Sequence, residues 1–534
     1  MFTRPQTRVG GATGPVAAAV AEETARTGTW ARFRQGMSRV REQAAQRRGR
    51  PGHRGWTMRG GGRATWVTPP SELEGTTNHV CGLWPFSVGV GLPTVGVPLG
   101  PHQQYAGTVC ADPVSWFLAG FITNPSAFIL GLPALGKSSL LRHICLILPA
   151  WGILPIILSD TKGEHVELIR SIEGQVIPVG RGLNAINVLD LGPLVEYLEE
   201  LPPDLRGSTL EDLRARRMNS LKGLLELVMH APLNTVESNV LNAVLRHLDA
   251  QPGIPVMGDV RRMIEERHPV VRDVVRDRGA DSRYDDRTEN LLDALRAVDV
   301  GGQFGDIFGR HTTVPIEMEK AVVFDMHTVE DTDLELQAAL QLVCWSYASS
   351  VVQSAKVLAE AGLRPERHYV MVMDELWRML RASPLMVDPI DALTRLNRNK
   401  ALAQIMVTHT MNDLKLATEE ATLKAWGFVE RSAMVFLGGL SAQEMGNLAT
   451  VFKMSQREMD QLEEWTAEGG YDESTGQSAA PPGRGKFLLK VGSKPGVPFQ
   501  VALSPLGEHL HDTDSRWAGL RERRSSGARD EDAA

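Results

Sequence analysis

Short apolar runs alternate with amphipathic stretches along two separate parts of the chain. "SAFILGLPALGKSSLLRHICLIL" places an apolar run, a small-residue loop and a stretch of helical spacing in that order. "ILPIILSDTKGEHVELIRSIEG" repeats the order, and "QVIPVG" adds another short run. Apolar runs interleaved with helical stretches predict parallel strands covered on both faces. The pattern then changes. "LEDLRARRMNSLKGLLELVMH", "TVESNVLNAVLRHLDA", "VMGDVRRMIEERH" and "RTENLLDALRAVD" carry helical spacing with few strand-like runs. Strand patterns return in "KAVVFDM", "HYVMVMDEL", "LAQIMVTHT" and "RSAMVFLGG", and "KFLLKVGSKPGVPFQVALS" has the look of a hairpin. One α/β domain with a parallel sheet, split by an all-helical insertion, is therefore expected.

The boundaries fall where the pattern shifts. Residues 1–65 form an arm and 66–125 a lead-in of short strands and turns, rich in Gly and Pro. Residues 126–190 are the first part of the core and 191–314 the helical insertion. Residues 315–510 are its second part, and 511–534 a disordered tail. "EGGYDESTGQSAAPPGRG" reads as a flexible loop. The chain has 534 residues, 43% of them hydrophobic and 23% charged, enough for a large core without covalent staples. Cys81, Cys110, Cys145 and Cys344 lie far apart, with no C-x-x-C pair, which fits a reducing compartment and argues against a zinc site. "ICLILPAWGILPIIL" is too short and too rich in proline for a membrane span, and a helix end, a turn and a strand explain it better. No signal-peptide pattern opens the chain. These features suggest a soluble, cytoplasmic protein, with a peripheral membrane dock left open.

The net charge of −7 is unevenly spread. Residues 1–65 hold thirteen arginines, no lysine and three acids (Glu22, Glu23 and Glu42), so a basic arm is joined to an acidic body. The arm reads either as a solvated tail or as a segment that touches nucleic acid or anionic lipid through phosphates.

Gly131 to Ser138 has the G-x-x-x-x-G-K-S spacing of a phosphate-binding loop. Gly131, Leu132, Pro133, Ala134, Leu135, Gly136, Lys137, Ser138 and Ser139 are the candidate nucleotide contacts. Backbone N–H groups would wrap phosphate oxygens, Lys137 would reach the β- and γ-phosphates, and Ser138 would hold Mg²⁺. Ala134 stands where glycine is common, which demands a negative φ there or some strain. "VMVMDELW" ends an apolar run in Asp374 and Glu375. Asp374 is the candidate for Mg²⁺ and Glu375 for the general base, although acids in a helix's first turn are also common. Thr408 and His409 end another run and are candidate γ-phosphate sensors; a satisfied surface histidine is the alternative. Arg395, Arg398 and Lys400 lie just upstream. Arg395 or Arg398 could reach a neighbour's γ-phosphate as an arginine finger, the alternative being a solvated basic helix face.

"ITNPSAFILGLPALGKSS", "SDTKGEHVELIRSIEGQVIPV", "LNAINVLDLG", "VMVMDELW" and "RNKALAQIMVTHTMNDL" occur in one order. That order resembles type IV secretion and conjugation ATPases of the VirB/TraC type, within the FtsK/HerA superfamily, and in the style of high-G+C Gram-positive bacteria. The resemblance spans roughly residues 75–510. It implies a RecA-like P-loop core, ATP and Mg²⁺ as cofactors, and a ring, most simply a hexamer. It also implies channel components at the inner face of the cell membrane as partners, with DNA or a relaxase possible at the arm. Lys137 and Ser138 match the family's Walker A pair, Asp374 and Glu375 its Walker B pair. Asp160, Lys162 and Glu164 match its D-x-K-G-E step, with ordering of the neighbouring loop as their role. His409 falls where many relatives carry Gln, and Arg431 is a second finger candidate. Only about 130 residues precede the loop, so the family's N-terminal domain is expected to be reduced. Two activities follow as alternatives: an ATPase that powers secretion, or a DNA-translocating coupling protein. A nucleotide-gated scaffold is a third possibility, against which Glu375 speaks.

Overall fold

The computed structural model describes residues 93–382, 387, 390–391, 402–469, 471–472, 477–478 and 481–510. All of them belong to one compact unit, Trp84–Ala534. The arm, the tail, Cys81 and the cluster Arg395, Arg398 and Lys400 lie outside the described residues.

The lead-in contributes β1 (Pro98–Pro101) and β2 (Thr108–Cys110), an antiparallel pair, and then a short helix, Pro113–Leu118. That helix departs from the expectation of strands and turns alone. Asp112 creates it: its carboxylate accepts from the N–H groups of Val114 and Ser115, and Pro113 follows as the first helical residue. The core strands are β3 (Ser126–Leu130), β4 (Ile153–Asp160), β5 (Gln175–Pro178), β6 (Val322–Asp325), β7 (His368–Met373), β8 (Ala403–Val407) and β9 (Met434–Leu437). A ribbon, β10 (Tyr471–Asp472) and β11 (Gln477–Ser478), precedes the hairpin β12 (Lys486–Lys490) and β13 (Val497–Gln500). Nine strands form one sheet in the order β13-β12-β9-β3-β8-β7-β4-β6-β5. β3 to β9 run parallel within it, and β12 and β13 add an antiparallel edge.

Strand alternation divides the interior into two cores. Phe128, Leu130, Ile156, Leu158, Met371 and Met373 face one side; Ala127, Ile129, Ile153, Ile157, Val370 and Val372 face the other. The second side is covered by Leu140, Leu141 and Ile144 of the helix Lys137–Ile147 and by Val97, Leu99 and Trp116 of the lead-in. The first side carries the insertion, whose main helices are Pro203–Met229, Thr235–Leu248, Met257–Glu265, Pro269–Val275 and Asp281–Val298. Asn234 and Glu237 form a capping box that starts the second of these.

Between the insertion and the sheet runs Leu334–Glu360, a helix of 27 residues packed against β4 and against the helix Pro203–Met229. Its residues from Leu336 to Val352 are all buried, so it has no polar face to betray it in the periodicity. The stretch Ile144–Leu158 resolves into a helix end, a 3₁₀ turn at Leu148–Trp151, and β4. Among the described residues no helix is long and apolar enough to cross a membrane.

Part of the expected loop at 468–485 lies outside the described residues, and its last residues pack against the body. Gly483 is buried against Trp465, and the Gly485 N–H donates to the Leu135 carbonyl at 2.9 Å.

The edge hairpin is pinned by a buried ion pair. The Lys490 ammonium, 1% exposed, donates to Glu458 Oε1 at 2.9 Å and to the carbonyls of Lys453 and Lys494. Burial pushes the Glu458 carboxyl up, but N–H donation from Ser455 and Gly496 and the Lys490 charge outweigh it, so its pKa lies below the ordinary value. Replacing Glu458 with Ala strands a buried ammonium and should cost about 3 kcal/mol in denaturant unfolding. A depressed carboxylate stabilises the fold above its unfolded value of 4.5 and loses that contribution as pH falls through the folded value. The variant should therefore show a shallower loss of stability below that pH; an unchanged acid slope would refute the assignment.

Candidate functional site

Parallel pairing brings the strand ends to one edge. Ile129 of β3 lies opposite Val407 of β8, Met373 of β7 opposite Met406 of β8, and Ile157 of β4 opposite Val372 of β7. The residues that follow these rows are Gly131, Thr408 and His409, Asp374 and Glu375, and Asp160. They meet beyond the carboxyl ends of the strands, where open α/β sheets bind ligands.

The loop after β3 is held on both sides by backbone. Gly131 N–H donates to the His409 carbonyl and Leu132 N–H to the Gly439 carbonyl, each at 2.9 Å. A Cβ at Gly131 would lie 3.2 Å from the Gly438 Cα, a close approach that favours glycine. Gly136 caps the helix Lys137–Ile147 with φ of 99°, a conformation that disfavours side chains, and no side-chain cap satisfies the helix N-terminus. The N–H groups of the first turn are thus directed at the loop's concavity, where the helix dipole favours an anion. Ala134 adopts φ of 64°, so of the two options the sequence leaves, the strained one is realised. Pro133 is exposed and Leu135 buried, while Ser138 and Ser139 are half-buried in the first turn. The buried Lys137 ammonium donates back to the Leu132 carbonyl at 3.1 Å. Burial pulls its pKa down to about 8 against the opposing pull of Glu375 and Asp374.

Glu375 sits at the centre, in the left-handed region with φ of 54°. Its Oε1 accepts from the Lys162 ammonium at 2.7 Å and its Oε2 from the Trp377 indole N–H at 2.6 Å. His409 Nε2 lies 3.3 Å from Oε2. Burial, followed by the Lys137 charge, lowers the His409 pKa, so the ring is neutral near pH 7, and its buried Nδ1 has no partner among the described residues. Thr408 is fully buried, and its hydroxyl is likewise unpartnered there. Both orphan groups flank the loop.

Asp374 accepts the Glu375 N–H on Oδ1, and its Oδ2 lies 3.4 Å from His165 Nε2. Burial would raise its carboxyl, but His165 and Lys162 overcome that and hold it ionised. Burial would lower His165, yet the hydrogen bond to Asp374 and the charge of Asp160 raise it instead. Asp160 accepts the N–H groups of Glu164 at 3.0 Å and His165 at 2.7 Å, which shapes the loop that presents Lys162. Glu164 lies 3.9 Å from the buried Arg142 of the phosphate-loop helix.

The ionised Asp374 carboxylate and the Ser138 hydroxyl, which no described residue engages, are hard oxygen donors of the kind Mg²⁺ takes. No group of three or more His, Cys, Asp or Glu residues is placed to hold a metal among the described residues, so phosphate oxygens and water would complete the shell.

The structure thus brings together Lys137, Ser138, Asp374, Glu375, Thr408, His409, Asp160, Lys162 and Glu164. Arg431 stands apart: it precedes β9, at the opposite edge of the sheet, and pairs with Asp391 at 2.5 Å. His165 and Trp377 have no motif of their own, although each adjoins one. The grip of Lys162 on Glu375 spans residues far apart in sequence that only the β4–β7 pairing brings together.

No protein-family profile matches this chain, and no curated protein matches it. Among solved structures, VirB4 of Thermoanaerobacter pseudethanolicus is similar over 78% of this chain and 100% of its own, with a TM-score of 0.57 and 17% identity. The plasmid coupling protein TrwB in complex with ADP and Mg²⁺ aligns over 71% of this chain and 86% of its own, with a TM-score of 0.42 and 11% identity. The first likeness identifies the fold as the RecA-like P-loop architecture expected from the sequence.

The strain at Ala134 makes a direct prediction. Glycine accepts that φ without penalty, while its extra unfolded-state freedom offsets part of the gain. Ala134→Gly should stabilise the protein by about 0.5 kcal/mol in urea unfolding. A clear loss of stability would show that the left-handed turn is not adopted.

Proposed function

We propose that this chain is a Mg²⁺-dependent ATPase that powers assembly of, or substrate transport through, a conjugative type IV secretion system. The observation that carries the catalytic part is the meeting of Lys137 at a capless helix N-terminus with the adjacent acids Asp374 and Glu375. The order of motifs supports the secretion role, as does the likeness of the fold to VirB4. In this reading the protein is cytoplasmic, works as a hexameric ring at the inner face of the cell membrane, and contacts the channel's membrane components. Arg398 or Arg431 would serve a neighbouring subunit as finger, and the basic arm would meet DNA or a relaxase.

The chemistry follows from the chain's own groups. The triphosphate lies on the N–H groups of Gly136, Lys137 and Ser138, and the Lys137 ammonium exchanges the Leu132 carbonyl for phosphate oxygens. Ser138 and Asp374 would hold Mg²⁺, which would neutralise phosphate charge. Glu375 orients a water and takes its proton. The water oxygen bonds to the γ-phosphorus as the bond to the bridging oxygen breaks, and ADP departs with that electron pair. Thr408 and His409, with their unpartnered polar atoms, register the γ-phosphate.

Lys137→Ala should abolish phosphate release. Glu375→Gln should retain ATP binding while lowering turnover about 10²-fold or more. Equal turnover in wild type and Glu375→Gln would instead indicate a nucleotide-gated scaffold. ATPase activity stimulated by DNA, with a steep salt dependence, would move the assignment to a DNA-translocating coupling protein.

A further inference from the structure

Every oxygen of the Glu375 carboxylate is engaged. Oε1 faces the Lys162 ammonium, while Oε2 faces both Trp377 and His409. A carboxylate offers two lone pairs per oxygen, so three donors leave one acceptor site open, on Oε1 beside the Lys162 ammonium. A water that Glu375 is to orient must therefore share Oε1 with that ammonium or displace it.

The donors differ in freedom. The Trp377 ring is stacked by two guanidinium groups, Arg378 at 5.4 Å and Arg381 at 5.0 Å from its centroid. Arg378 is tied to Asp331 at 2.6 Å and Gln337 at 3.0 Å, and Arg381 to Asp413 at 3.2 Å. Trp377 is thus a fixed donor. The Lys162 side chain is 46% exposed, whereas that of Glu375 is only 7% exposed. It extends from a turn completed by Gly163, at φ of 70°. Its ammonium meets Glu375, whose other oxygen lies 3.3 Å from His409, the residue whose carbonyl accepts the Gly131 N–H at the start of the phosphate loop.

We propose that Lys162 is a γ-phosphate-operated latch on Glu375. Without a triphosphate, its ammonium holds Oε1. A γ-phosphoryl group, more highly charged than a carboxylate, draws the ammonium away and leaves Oε1 free to orient the attacking water, while Trp377 keeps Oε2 in place. ADP has no γ-phosphate and leaves the latch closed, so Lys162 makes the site prefer ATP to ADP. Lys162 and Trp377 are positioning residues for Glu375. The inference rests on the ATPase reading above.

The test is calorimetric binding of ADP and of ATPγS to the full chain, with steady-state hydrolysis alongside. Lys162→Met should weaken ATPγS by about tenfold or more while ADP changes little, and should raise KM for ATP. Lys162→Arg, which retains the cation, should restore part of the discrimination. Trp377→Phe should lower kcat and leave both KM and the ATPγS-to-ADP ratio unchanged. An unchanged ratio in Lys162→Met, or an equal loss of both nucleotides, overturns the latch. If Lys162→Met is not recovered folded, Lys162→Gln is read by the same ratio. Lys137→Ala separates the two levels of the argument. Wild-type binding and turnover in that variant would sink the ATPase reading itself. Loss there together with an unchanged ratio in Lys162→Met would sink the latch alone.

Discussion

The two backbone bonds from Gly131 and Leu132 to the carbonyls of His409 and Gly439 hold the site together. They extend the pairing of β3 with its neighbours one step beyond the strand, so the phosphate loop starts as a continuation of the sheet. From that anchor the loop turns through Ala134 and Gly136 into a helix whose N-terminus must point back over the strand ends. The same register carries Asp374, Glu375 and His409 to that edge. A slip of one residue in β7 or β8 would send their side chains to the opposite face.

That edge is built as a balance of charge. Two lysines, one buried and one half-exposed, flank two acids in a setting from which most water is excluded. Each lysine is satisfied by a protein acceptor: Lys137 by a carbonyl and Lys162 by Glu375. Neither bond is the strongest available to an ammonium when a polyphosphate is present, which makes both replaceable. Asp374 is kept ionised by its neighbours instead, His165 and Lys162.

Much of this was legible in the amino-acid order. The phosphate-loop spacing, the apolar runs of β3, β4, β7, β8 and β9, and the acids after β7 each carry a local signal. The helix Leu334–Glu360 does not, because burial on every side erases the polar stripe that marks an amphipathic helix. Trp377 and His165 were hidden for another reason. His165 acts through a contact across the sheet, with Asp374, and Trp377 through a local one: an indole two residues after an acid has no meaning until its N–H is seen to point back. Lys162 and Glu375 each stood in a recognised motif, but their contact did not show there, since the two become neighbours only through the pairing of β4 with β7.

The bond from Gly485 to Leu135 joins the phosphate loop to the edge hairpin, which the lead-in grips through the bond from Ala502 N–H to the Leu99 carbonyl and the bridge between His102 and Phe499. The lead-in therefore meets the hairpin at β13, and the residue before β12 touches the loop. The nucleotide cradle is thus tied to the lead-in by a short run of backbone hydrogen bonds, a brace that neither segment could leave without breaking at least one of them.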